Sequence, residues 1–216
     1  TVVLSHGHYD HSGGLAFLPE LVKSSRLYLH PDALLPRYSR KEQPPHKAIG
    51  MPSASTALVH RLGARVAWTS AATQVSEHMG ITGPIPRTTD FEDVGGPYFL
   101  DPECTTLDPI TDDQALWIET KNGIVVLVGC AHAGVVNTLD DISRHLGTKR
   151  FRAVIGGLHL RRAKKVRLRR TAQALNRYRV SLLAAGHCTG PSAIEYLARH
   201  CDGKVAQLSS GTVLNI

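Results

Sequence analysis

The chain has 216 residues, 42% of them hydrophobic and 20% charged, with a formal net charge of +7 and a pI near 9.4. That composition excludes a disordered or fibrous protein, and the length fits one domain with a sizeable core. No apolar run approaches the roughly 18–20 residues of a membrane span, and the first residues lack the pattern of a signal peptide. Cys104, Cys130, Cys188 and Cys201 are too scattered for a disulfide framework, so a reducing cytoplasm is the expected compartment.

Residues 1–5 are short, apolar and β-branched and read as a buried strand. They lead directly into His6-Gly7-His8-Tyr9-Asp10-His11, after which Gly13-Gly14 opens a predicted helix over 15–24. Residues 26–29 read as a strand and the proline-rich, charged stretch 31–52 as a surface loop. A helix over 53–62, a strand over 65–70 and further strand within 73–82 are expected next. Residues 83–112 carry five prolines and no period; so long a connection in a compact domain is usually functional. Strands over 114–120 and 124–129 flank Asn122-Gly123, a strong hairpin signal. The chain then alternates: helix 133–146, strand 152–155, helix 163–178, strand 180–185, helix 191–200, and closing strands at 204–208 and 212–216. This order predicts an α/β architecture with a mixed sheet.

The chemistry is concentrated in residues 6–11. Histidines at i and i+2 on an extended segment point the same way, so His6 and His8 can grip one ion. Asp10 and His11, just past the bend, can reach a neighbouring position. Such a cluster, directly after an apolar strand, is a metal signature rather than a chance polar turn. His132 and His187 also lie in loops after apolar strands, in Gly129-Cys130-Ala131-His132 and Gly186-His187-Cys188, the edge where α/β folds collect their chemistry. His30, His46, His60, His78, His145 and His200 lack that context and read as surface or packing residues. Cys130 and Cys188 read as small apolar neighbours of the site. Between Asp141 and Glu195 there is no Asp or Glu. His159, in Gly156-Gly157-Leu158-His159-Leu160, is the ligand-type residue available there, either as a metal ligand or as a structural or substrate-contacting group.

Residues 5–14, SHGHYDHSGG, resemble the H-x-H-x-D-H motif of the metallo-β-lactamase superfamily. With ITGPIPRTTDFE at 81–92, DDQALWI at 112–118, VVLVGCAHAGVVN at 125–137, AVIGGLHL at 153–160 and GHCTG at 186–190, almost the whole chain is similar to one branch. That branch is the 7,8-dihydropterin-6-methyl-4-(β-D-ribofuranosyl)aminobenzene-5′-phosphate synthase-like group. The resemblance implies an αββα sandwich over residues 1–216 that lacks its first N-terminal strands. It implies that His6 and His8 serve one metal and Asp10 and His11 a second, with His132 and His187 completing the set. In that branch GG-x-HL, here with His159, replaces the bridging-aspartate motif.

The expected function is therefore a metal-dependent hydrolase or dihydropterin-type synthase, acting through a metal-bound hydroxide or a metal-assisted displacement. One or two divalent ions are expected, zinc first, with Fe, Mn and Ni also compatible with the ligand types. Asp10 and His159 are the candidate catalytic groups. Since Asp10 alone among the expected ligands is anionic, two divalent ions would leave a formal charge of about +3. A phosphorylated or pyrophosphorylated small molecule is the substrate this favours, with Arg87 and Thr189 as contacts and the basic run 161–170 adding to the pull. A metal-dependent nuclease or phosphodiesterase and a non-catalytic metal-binding module are the alternatives. Nucleic acid is the less favoured partner, because nucleases of this superfamily carry an inserted domain for which there is little room. No membrane partner is expected, and the oligomeric state is not legible.

Overall fold

The computed structural model describes residues 1–18, 20 and 24–216. The chain enters through β1 (Val2–Val3), then a single helical turn, α1 (Tyr9–Ser12), and a 3-10 segment, Gly13–Phe17. The helix expected over 15–24 falls partly outside the described residues; where it is described, a 3-10 segment stands at its start. β1, β2 (Leu27–Leu29) and β5 (Val66–Trp68) form a parallel sheet in the order β1-β2-β5. Helix α2 (Ser53–Leu62) sets Leu58, Val59 and Leu62 against Leu4, Leu27, Leu29 and Val66, closing a small core.

The stretch expected as a loop over 31–52 contains a 3-10 turn at Pro31–Leu34 and two short strands, β3 (Tyr38–Ser39) and β4 (Lys47–Ala48). Neither strand is apolar enough to announce itself. They pair with each other and with β8 (Tyr98–Phe99), which lies inside the long connection 83–112.

A seven-stranded sheet has the order β13-β12-β11-β10-β9-β7-β6. β6 (Thr73–Ser76) and β7 (Met79–Ile81), within the stretch 73–82 where further strand was expected, make a hairpin. β9 (Leu116–Thr120) and β10 (Gly123–Val128) form the predicted hairpin. β10, β11 (Phe151–Gly157), β12 (Leu182–Gly186) and β13 (Lys204–Gln207) are parallel neighbours. Helices α3 (Val135–Leu146), α4 (Lys165–Arg177) and α5 (Pro191–His200) supply the crossovers and cover one face. Their apolar stripes, including Leu139, Ile142, Leu175 and Leu197, meet Val126, Phe151, Val154 and Leu183 in the main core. Burying each such side chain contributes roughly 1.5–3 kcal/mol. Residues 212–216 form no strand: Val213 is 85% exposed and finds no ladder. The architecture is the mixed α/β one expected. Among the described residues no helix is long and apolar enough to cross a membrane.

Candidate metal centre

Three parallel neighbours, β10, β11 and β12, end side by side and deliver His132, His159 and His187 to one edge. β1, from the other sheet, delivers residues 6–11 to the same place. Gly129 allows that approach, since a β-carbon there would overlap the Ser5 hydroxyl. Gly7 is equally constrained: a β-carbon would run into the Ala33 carbonyl.

His6, His8 and His132 are buried, and one ligand-type atom from each lies within 4.8 Å of the others. His6 Nε2 and His8 Nδ1 are 3.1 Å apart. Two of the three rings are oriented from behind. His6 Nδ1 is 3.1 Å from Ser5 Oγ, and His132 Nδ1 donates to the Val94 carbonyl at 2.7 Å. That fixes the His132 tautomer and leaves Nε2 with its lone pair. Both His132 Nε2 and His8 Nε2 are buried with no hydrogen-bond partner among the described residues, a costly state for polar atoms. Burial also holds all three rings neutral: His6 and His132 lie well below their ordinary pKa, and His8 falls to about 3. Buried neutral imidazoles with grouped nitrogens, His6 held from behind by Ser5 and His132 by the Val94 carbonyl, fit a divalent transition metal.

A second group, Asp10, His11 and His187, adjoins the first. His11 Nε2 and His187 Nε2 are 3.2 Å apart, and Asp10 Oδ2 is 3.3 Å from His187 Nε2 and 3.7 Å from His11 Nε2. Burial lowers the His11 pKa, with Asp10 opposing it. Two thiols complete the floor. Cys130 Sγ is 3.2 Å from His11 Nε2, and Cys130, His187 and Cys188 also present atoms within 4.8 Å of one another. The hydrogen bond between the thiols pushes Cys130 up and Cys188 down. Both thiols thus belong to groups that could hold a metal ion.

His159 stands beside the first group. Its ring centroid is 4.5 Å from that of His132, while its Nε2 faces the Tyr98 hydroxyl at 3.2 Å. It joins none of the ligand-type groups found among the described residues. Its backbone and that of His187 are left-handed, at φ 49° and 51°, a conformation that costs of order 1 kcal/mol and clusters at functional sites. Burial, with Arg167 as the next cause, lowers the His159 pKa to about 4. Arg87 donates to the carbonyls of His132, Pro109 and Ile110, at 2.7, 2.5 and 3.3 Å. The Thr189 hydroxyl is fully buried and accepts the Leu158 N–H at 3.0 Å.

Much of the support comes from residues the sequence did not single out. Asp112 accepts the Gly7 N–H at 2.7 Å and two Arg37 nitrogens at 2.9 and 2.5 Å, and Asp108 takes Arg37 Nε at 2.7 Å. This buried ion triad clamps the motif loop from below. Asp113 accepts the Ala133 N–H at 2.6 Å and is pushed up to about 7 by burial. Glu92 accepts the N–H groups of Val136 and Asn137 at 2.9 and 2.8 Å, capping α3 where Gly134 offers no side chain. Tyr98, Val94, Glu92 and Asp108 all lie in the long connection 83–112.

A metallo-beta-lactamase superfamily model matches residues 1–187. The chain belongs to that superfamily. It is 28% identical to the 7,8-dihydropterin-6-methyl-4-(beta-D-ribofuranosyl)-aminobenzene-5′-phosphate synthase of Methanocaldococcus jannaschii, over 99% of this chain and 74% of that protein. An uncharacterized protein of the same organism is 25% identical over 92% of this chain and 72% of its own length. A crystal structure of a metal-dependent hydrolase of the beta-lactamase superfamily superposes with a TM-score of 0.84 at 29% identity, covering 100% of this chain and 78% of that one. The superfamily and mixed α/β fold expected from the motifs are thus borne out. Superfamily proteins generally bind divalent metals, and this chain has His/Cys groups able to hold one.

Proposed function

We propose that this protein is a metal-dependent enzyme acting on a phosphate-bearing small molecule. The observation that carries the reading is the grouping of one ligand-type nitrogen each from buried His6, His8 and His132 within 4.8 Å, with His6 Nε2 3.1 Å from His8 Nδ1 and His132 Nε2 buried and unpartnered among the described residues. His6, His8 and His132 would hold one divalent ion, zinc first, and Asp10, His11 and His187 a second, with Cys130 and Cys188 within reach of it. Bound there, such an ion acts as a Lewis acid on a substrate oxygen.

The chain's own groups do the rest. Asp10 is the one carboxylate among these ligands, so the centre keeps a positive bias and favours an anion. Lys47, which lines the same pocket, adds a cation and is held by its 2.8 Å bond to the Tyr9 hydroxyl. Burial pushes the Tyr98 phenol up to about 12, so it keeps its proton and donates to His159 Nε2. That hydrogen bond holds the Tyr98 hydroxyl and the His159 ring in place at the pocket wall. Arg87 and Thr189 act through the loops they fix, the first behind His132 and the second next to His159. The name of the M. jannaschii relative, a synthase of a phosphate-bearing compound, supports the substrate class.

The test is a screen of phosphate monoesters, phosphodiesters, pyrophosphate esters and lactones with metal-loaded protein. Metal-dependent turnover of a phosphate or pyrophosphate ester, abolished by His8→Ala, is expected. Turnover of lactones alone, or of nothing, contradicts the reading.

A further inference from the structure

The loop between Glu92 and β8 touches the metal centre twice through its backbone. The Val94 carbonyl accepts His132 Nδ1 at 2.7 Å. Gly95, at φ 87°, lies against His159, where a β-carbon would overlap the imidazole ring. Neither contact uses a side chain of the loop. Their precision therefore depends on what fixes the backbone of residues 93–95.

Asp93 does so with one oxygen. Its Oδ1 accepts the Gly95 N–H at 2.8 Å, closing a turn around Val94, and takes Arg167 Nη1 at 2.6 Å. An aspartate bonded to the N–H two residues on sets the local backbone direction. Here the same oxygen is also anchored from outside the loop. Arg167 belongs to α4, whose Ala172 and Leu175 sit in the main core. Among the described residues, the bonds to Arg167 and His132 are the hydrogen bonds that tie residues 93–95 to other elements. An ion pair exposed on both sides contributes little, but the Arg167 side chain is only 6% exposed. Asp90 offers a contrast: it takes Arg170 Nη1 on the same helix, also at 2.6 Å, and makes no bond to the turn.

We infer that Asp93, braced by Arg167, is a positioning residue for the metal centre: it sets the turn whose Val94 carbonyl holds the His132 ring. The inference rests on the proposed metal site and adds to it a residue that lies outside every ligand-type group found among the described residues. An imidazole keeps its proton on the nitrogen that has a fixed acceptor, which leaves the other nitrogen free to bind a metal. When the turn relaxes, the Val94 carbonyl moves off Nδ1. The proton can then shift to Nε2, the nitrogen the ion needs. A buried arginine on α4 thus controls a candidate ligand on the loop after β10 through one carboxylate and one peptide carbonyl.

The His132 ring is the reporter, read by imidazole nitrogen chemical shifts in metal-free protein, with zinc affinity measured by chelator competition. Wild-type protein should carry the His132 proton on Nδ1. Asp93→Ala should lose that preference and bind zinc about 10–100-fold more weakly, the usual effect of removing a group that orients a ligand. Asp93→Asn keeps the acceptor for Gly95 and loses the charge, so it should fall between; it carries the test if Asp93→Ala does not fold. Arg167→Lys keeps a donor for Asp93 and should stay close to wild type on both readouts. Asp90→Ala, which deletes the neighbouring ion pair, should change neither, and the His187 shifts should hold in every variant. A proton kept on Nδ1 with wild-type zinc affinity in the Asp93 variants overturns the inference. So does an equal loss in Asp90→Ala, or a change spread over all the histidines, since either means general loosening. A His132 proton displaced by Asp93→Ala in a protein that binds no zinc even as wild type counts against the proposed function and leaves the positioning role standing.

Discussion

Replacing Asp112 with Asn should destabilise the protein and loosen the metal loop together. Its carboxylate and the Arg37 side chain are both fully buried, and it accepts three hydrogen bonds, one from the Gly7 N–H and two from Arg37. Asn keeps the shape, removes the charge and turns one acceptor into a donor facing another donor. Breaking one side of a buried ion pair costs roughly 3–5 kcal/mol. Asp108 still neutralises Arg37 through Nε at 2.7 Å, so the low end, about 3 kcal/mol, applies. With a urea m-value of about 2 kcal/mol per molar, the unfolding midpoint should fall by roughly 1.5 M. Because Gly7 sits between two ligand-type histidines, metal affinity should also drop by about 10–100-fold. Arg37→Met with Asp112→Asn should cost less than the two single changes added, by at least about 1 kcal/mol. A midpoint for Asp112→Asn within about 0.5 kcal/mol of wild type, or strict additivity in the double variant, refutes the clamp; 0.5 kcal/mol is the usual spread of a neutral substitution.

The buried histidines set a pH dependence in chelated, metal-free protein. His6, His8 and His132 resist protonation when folded, with His8 at about 3, whereas the unfolded chain takes up those protons near 6.5. The unfolded state therefore binds more protons as pH falls, and the stability present above 6.5 is lost below it. Asp113, raised to about 7, works the other way, because its folded form keeps a proton that the unfolded chain releases above about 4. His11 and His159 are lowered too, so the histidines outweigh the raised carboxyls of Asp113 and Glu92, and stability should fall as pH drops from roughly 6 to 5. Urea midpoints that stay flat or rise through that window contradict it. Tyr98→Phe removes the donor to His159 Nε2 and should cost about 1 kcal/mol in stability. It should leave metal content unchanged and lower turnover; loss of metal in this variant would place Tyr98 with the ligands instead of at the pocket wall.

The metal loop was legible because its signal is local: four ligand-type side chains within six residues, read against strand geometry. The partner histidines were legible because each follows an apolar strand, and strand ends in α/β folds converge. What holds the loop was not legible. Arg37 and Asp112 are 75 residues apart, and Gly7 and Asp112 are 105 apart, so no spacing rule links them. Cys130 and Cys188 are likewise brought together only by the pairing of β10, β11 and β12. Short polar strands such as β3 and β4 form because β8 is there to pair with them, not because of their own pattern. The reverse holds for residues 212–216, where a strand-like sequence meets no partner.

The central claim is that His6, His8 and His132, with Asp10, His11 and His187 beside them, hold divalent metal. The most direct measurement is elemental analysis of purified protein, with anomalous scattering at the absorption edge of the metal found. The account predicts at least one divalent transition-metal ion per chain, its peak among His6, His8 and His132, and its loss when His8 and His132 are both changed to Ala. A folded protein that takes up no metal from a metal-supplemented buffer, or a double variant that keeps its full complement, would contradict it.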